Sequence, residues 1–206
     1  MMQRKQIYHS GLLGQILLDG LEEIIGENGV TAVLDQARLH RALQFSKKET
    51  LNHEPIDVVE IQAALEALYG ERGGQGTVMQ AGRVSFHNIL RDYGDDMGLN
   101  NPEFRLHSTV HKIKDGLRIL AEKFTEFFPG QILISEDETA WIWQVCCDPA
   151  RTNPSLLKSC GVFISGILQE FTQWVAGGKH YLLDQVISDG VEEEIGRIRI
   201  EKQAID

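Results

Sequence analysis

CGVFISGILQEFTQWV (160–175), AGG (176–178), KHYLLDQVISDG (179–190) and EEEIGRIRI (192–200) follow one another towards the end of the chain. The first piece reads as an apolar helix, the Gly177-Gly178 pair breaks it, and two short strands separated by an acidic turn complete the run. Glu192, Glu193 and Glu194 read as the solvated part of that turn. Moving towards the N-terminus, residues 149–158 read as a loop. Before it, QILISEDETAWIWQVC (131–146) alternates as two strands around a Glu-Asp-Glu turn. Side chains alternate with period two along a strand, so Trp141, Trp143 and Val145 share one side of the second. The order β-β-α-β-β predicts an antiparallel sheet of about four strands, an α+β arrangement.

Helices are expected ahead of this half. Residues 110–128 carry Ile113, Leu117, Leu120, Phe124 and Phe128 on or near one face, and Pro129-Gly130 ends the run. Residues 7–25 form an amphipathic helix with breaks at Gly26 and Gly29, and residues 30–43 repeat the pattern. A polar loop, SKKETLNHEP, separates these from a helix that opens near Asp57, with Glu60 three places on, and stops at Gly70. GERGGQGTVMQAGRVSFHNILRDYG (70–94) is glycine-rich, but a helix rather than a strand precedes it and no Gly-Lys-Ser/Thr follows, which excludes a phosphate cradle. It reads as a loop leading into a helix from Thr77, with Ala81, Gly82 and Ser85 as a small-residue packing face. The whole is an α+β domain over 1–206, N-terminal helices on the sheet, with 1–55 as a helical extension.

Composition narrows the function. Thirty acidic against twenty basic residues leave a formal charge of −10, which disfavours nucleic acid, whose backbone is bound by clustered Lys and Arg. No run reaches the roughly 18 apolar residues that span a bilayer, and no signal segment opens the chain, so a cytoplasmic location is expected. The three cysteines lack CxxC spacing, which argues for reduced thiols.

Two blocks carry a family resemblance: the Cys160 helix with its following hairpin, and ALYGERGGQGTVMQAGRVSF (67–86). Together they resemble the 4-vinyl reductase, or hydrocarbon-binding, domain family. The resemblance implies an α+β fold around an apolar chamber. Zinc-bearing members place a Cys at the helix start, Glu-x-x-Cys on the first strand and a last Cys eight residues on, where this chain has Cys160, Gln185, Ser188 and Gly196. One thiol cannot close a tetrahedral zinc shell, so no metal is expected. The resemblance extends to haem-binding nitric-oxide sensors, though their Tyr-x-Ser-x-Arg clamp is not found in this chain, and to subunits of vesicle-tethering complexes. It implies a non-catalytic binding protein for a large hydrophobic molecule, a tetrapyrrole, chlorophyll-type pigment or lipid, acting as carrier, sensor or assembly factor. The alternative is a scaffold that dimerises and binds protein partners. A weaker alternative, vinyl reduction with partner-supplied electrons, suffers from the lack of a strand-GxGxxG-helix fingerprint and of iron-sulfur spacing.

The expected pocket lies between residues 77–93, residues 110–128 and the inner sheet face. Its candidate lining is Ala81, Gly82, Arg83, Phe86, His87, Phe124, Phe128, Trp141 and Trp143. Arg83 or His87 would anchor a polar group of the ligand, each with a plain helix-surface role as the other reading. His107 and His111, four apart, have the spacing of a metal or haem pair, but without Cys or carboxylate neighbours at ligand spacing they read as solvated. The apolar stripe of 7–25 needs a cover, and a homodimer through that helix would supply one.

Overall fold

The structure is a computed structural model that describes residues 10–39, 58–126, 130–147, 154–189 and 194–205. Its elements are α1 (Ser10–Gln36), α2 (Val58–Tyr93), α3 (Pro102–Leu106), α4 (Thr109–Thr125), β1 (Gly130–Glu136), β2 (Ala140–Cys147), α5 (Pro154–Val175), β3 (His180–Asp189) and β4 (Glu194–Ile205). The fold is α+β, with helices packed on a four-stranded antiparallel sheet of order β1-β2-β4-β3.

The register follows from the strand alternation. Trp141 pairs with Ile200, Trp143 with Ile198 and Val145 with Gly196 across the central β2–β4 ladder. Trp141, Trp143, Val145, Ile198 and Ile200 are all buried, so one face of the central strands is core. α5 packs on β3 and β4, α4 packs on β1, and α2 lies against the other side of α5. At its C-terminus α5 closes through Gly177 and Gly178, both at positive φ, with the Gly178 N–H donating to the Gln173 carbonyl at 2.8 Å. That six-to-one bond satisfies a carbonyl the helix end leaves free.

Two local expectations need correction. Residues 71–76 are helical and not a loop: the first arm of α2 does stop at Gly70, whose φ of 77° and ψ of 162° are non-helical, and a second arm starts directly after it. The glycines there serve close packing, since a Cβ on Gly74 would stand 2.6 Å from the Glu66 backbone nitrogen. α5 starts at Pro154 and not at Cys160, because proline's fixed φ and missing N–H suit a first helical position. The short helix α3, which no sequence pattern announced, starts in the same way at Pro102.

At the other end, the break at Gly26 is a kink of φ 70° within α1, and residues 40–43 of the second expected helix lie outside the described residues. The stripe of α1, with Leu13, Leu17, Leu18 and Leu21 buried, packs against α2. The chain's own α2 thus covers these four leucines, while Ile24 further along the stripe is 39% exposed. Of the extension over 1–55, residues 10–39 are described. Among the described residues no helix is long and apolar enough to cross a membrane.

Candidate functional site

The α2–α5 seam is built on glycine. A Cβ on Gly82 would lie 2.2 Å from the Phe163 carbonyl oxygen, and one on Gly166 would lie 2.1 Å from that of Met79. On the neighbouring face, Ala81 meets α1: a Cβ on Gly20 would stand 2.6 Å from the Ala81 carbonyl oxygen, and the Ser85 hydroxyl donates to the Ile16 carbonyl at 3.0 Å. Ala81 and Gly82 therefore set helix approach on two sides. Small residues at such crossings let backbones come within van der Waals contact.

One helical turn on, the polar candidates converge on a residue the sequence reading did not select. Glu170 of α5 accepts from Arg83 Nε at 2.9 Å and is 3.0 Å from His87 Nε2, while Arg83 Nη2 donates to Gln173 at 3.2 Å. The Glu170 side chain is 15% exposed and that of His87 59% exposed, so the cluster caps the seam at its solvent edge. Phe86 points the other way, into an aromatic group with Phe171 (centroids 5.9 Å, edge-on) and Trp174 (5.8 Å, tilted). Trp174 in turn stacks on Phe104 at 6.3 Å and 12°.

Phe124, Trp141 and Trp143 lie on the far side of α5. Phe124 and Trp143 meet edge-on at 6.0 Å, Trp141 meets Tyr181 at 6.2 Å, and the Lys202 ammonium stands 5.7 Å from the Trp141 ring centre. The Nε1 donors of both tryptophans are buried without a hydrogen-bond partner among the described residues. Each unmet buried donor costs about 1–3 kcal/mol. Phe128 lies outside the described residues. The described candidates thus form two groups with α5 between them, and the space expected to be open between α2, α4 and the sheet holds side chains such as Phe163 and Phe171.

An open cleft lies elsewhere. Phe104, Arg105, Lys112, Trp174 and Val175 enclose about 240 Å³ between α3, α4 and the end of α5. Trp174 is legible in the sequence as an inward aromatic three residues after Phe171, but Phe104 and Arg105 sit on the unannounced α3. Cys160, Gln185 and Gly196, three of the four positions where zinc-bearing relatives place ligands, come together around a void of about 10 Å³ with Val145, Leu157 and Ile198. The Gln185 amide donates to the Lys158 carbonyl there at 3.3 Å. No group of three His, Cys, Asp or Glu able to hold a metal occurs among the described residues. His107 lies 3.5 Å from Asp115 and His111 2.8 Å from the Ser108 hydroxyl, so the two rings take separate partners.

No protein-family model and no curated protein matches the chain. Solved structures do. One is an oxygen-binding H-NOX domain related to soluble guanylate cyclases, as its oxygen complex, at 10% identity, 96% of this chain, 97% of that chain and a TM-score of 0.58. Another, concerned with modulating haem redox potential through protein-induced porphyrin distortion, has 11% identity, 96% and 97% coverage and a TM-score of 0.60. A mutant of the T. tengcongensis H-NOX has 10% identity, 96% and 100% coverage and a TM-score of 0.52. At such identities the likeness is one of fold.

A haem needs a ligating His, Cys, Tyr or Met on the wall of a chamber wide enough for the macrocycle, and neither void described above offers both. Cys160 faces the void of about 10 Å³, and the Phe171 ring fills the space over Gly116, where a Cβ would stand 2.3 Å from Phe171 Cζ.

Proposed function

We propose that the protein is a non-catalytic binding protein for a hydrophobic small molecule, a lipid or tetrapyrrole-like compound, and acts as carrier, sensor or assembly factor. The observation that carries this reading is the aromatic path Phe86–Trp174–Phe104, which runs from fully buried core to the floor of an open cleft. The cleft sets aromatic side chains beside the cations Arg105 and Lys112, a lining that suits an apolar body carrying a polar group. The fold likeness to haem-containing structures and the motif resemblance to hydrocarbon-binding domains support the same class. The decisive experiment extracts the purified protein with organic solvent for mass spectrometry, then titrates the extracted protein with hemin and with oleate. A stoichiometric extracted compound, or saturable binding of either probe, is expected; an empty extract with no saturable binding ends the reading.

A scaffold function is the second reading, and the glycine seam favours it. Gly82 and Gly166 pack two helices at backbone distance where a chamber would need space. On that reading the chain forms a stable homodimer with no bound compound. Light scattering that returns a monomer mass across micromolar concentrations counts against it.

A further inference from the structure

We propose that the cleft between α3, α4 and the end of α5 is a binding site for a small organic carboxylate, with the apolar body on Trp174 and the carboxylate between Arg105 and Lys112. This rests on the binding-protein reading and adds a place and a charge to it. The floor is apolar: Phe104 is 7% exposed, Val175 6% exposed, and the Trp174 ring lies parallel to Phe104. The rim is cationic. Arg105 comes from α3 and Lys112 from α4, and both line the same 240 Å³.

Both cations are free to meet an anion. The chain carries ten more acidic than basic residues, yet neither Arg105 nor Lys112 has an ion-pair partner among the described residues. Asp115, one helical turn along α4 from Lys112, is instead placed against His107 at 3.5 Å. Two like charges beside one apolar floor are relieved by an anion held between them, and a guanidinium grips a carboxylate through two parallel N–H bonds. Trp174 adds an aromatic face on which a flat ligand body can lie. At about 240 Å³ the cleft falls below the roughly 300–1,000 Å³ of drug-sized pockets, so it suits a compact aromatic acid or the head of a fatty acid.

The test is calorimetric titration of the full chain with 2-naphthoate and with its neutral counterpart 2-naphthamide. Naphthoate is expected to bind one per chain, at least tenfold more tightly than the amide. The Arg105→Gln/Lys112→Gln variant should lose at least tenfold in naphthoate affinity, about 1.4 kcal/mol, while the amide changes by less than twofold. Trp174→Phe should abolish the indole chemical-shift change that naphthoate induces. Rising salt should weaken naphthoate and spare the amide in the wild type, which keeps the question answerable if the double variant fails to fold. Equal affinity for acid and amide, or a double variant that keeps the wild-type ratio, overturns the site. If naphthoate fails but oleate or hemin binds saturably, the carboxylate site falls and the binding-protein reading stands; if no apolar probe binds, both fall.

Discussion

Gly82 and Gly166 carry the tightest contact in the α2–α5 seam, and their substitution separates packing from propensity. Alanine at either position would drive a Cβ to within 2.2 or 2.1 Å of a backbone carbonyl oxygen on the facing helix. Backbone cannot move aside as the end of a side chain can, so Gly82→Ala and Gly166→Ala should each cost about 1–3 kcal/mol by denaturant unfolding. Gly76 is the control. It lies in the same α2, nothing stands within 4 Å of its Cβ position, and its backbone is helical, so Gly76→Ala should stabilise by about 0.5–1 kcal/mol. If all three variants shift stability in the same direction, the seam is not as close as described. Arg83 and His87 show the limit of residue-level reading: residue type marks both as anchors for a ligand, but Glu170 engages both.

Between β1 and β2 the turn is held by charge. Asp137 Oδ1 accepts from the Thr139 and Ala140 backbone N–H groups, both at 2.8 Å, and its Oδ2 faces Arg199 Nη1 of β4 at 2.6 Å. The Arg199 guanidinium first, and then the two backbone donors, hold the Asp137 carboxyl well below the usual carboxylate range. Glu136 is lowered too, by Lys114 and then Lys202. A carboxyl whose folded pKa is depressed stabilises the fold fully above its unfolded value, near 3.9, and loses that contribution as pH falls towards the folded value. Asp137→Asn should therefore lower the melting temperature by a constant amount from pH 7 to about pH 5, and the gap to wild type should close below about pH 4. A gap that is the same at pH 3 as at pH 7 would show that the charge contributes nothing. The sequence does place a Glu-Asp-Glu turn here, but the partner on β4, 62 residues away, is a product of the sheet order.

Across the whole molecule, α5 is the central layer, with α2 on one side and the sheet on the other. The position explains why the described residues of the site expected from sequence divide into two groups, and why the open cleft sits at the end of α5 and not beside its middle. It also gives a global readout for ligand binding. A compound that binds only the folded chain adds RT ln(1 + [L]/Kd), about 2.7 kcal/mol at one hundred times its Kd. Naphthoate at that ratio should raise the melting temperature of the wild type in a thermal-shift measurement. An unchanged melting temperature at saturating naphthoate contradicts the cleft.

The sequence by itself determined the strands, most of the helical stretches and the α+β order, because these depend on periodicity within a dozen residues and on glycine and proline at their ends. Trp141, Trp143 and Val145 were on one side of a strand before any partner was known, and Gly26 and Gly70 were breaks before their φ was known. Tertiary structure decided the rest. Residues 71–76 look like a loop because glycine costs a helix about 1 kcal/mol per residue, but helix they are, with Gly74 packed against the preceding arm of α2. The cleft exists only where α3, α4 and α5 meet, bringing Arg105 and Lys112 to Trp174 across about 60 residues of chain. No local pattern encodes such a meeting, since it depends on which faces remain uncovered once the core has closed.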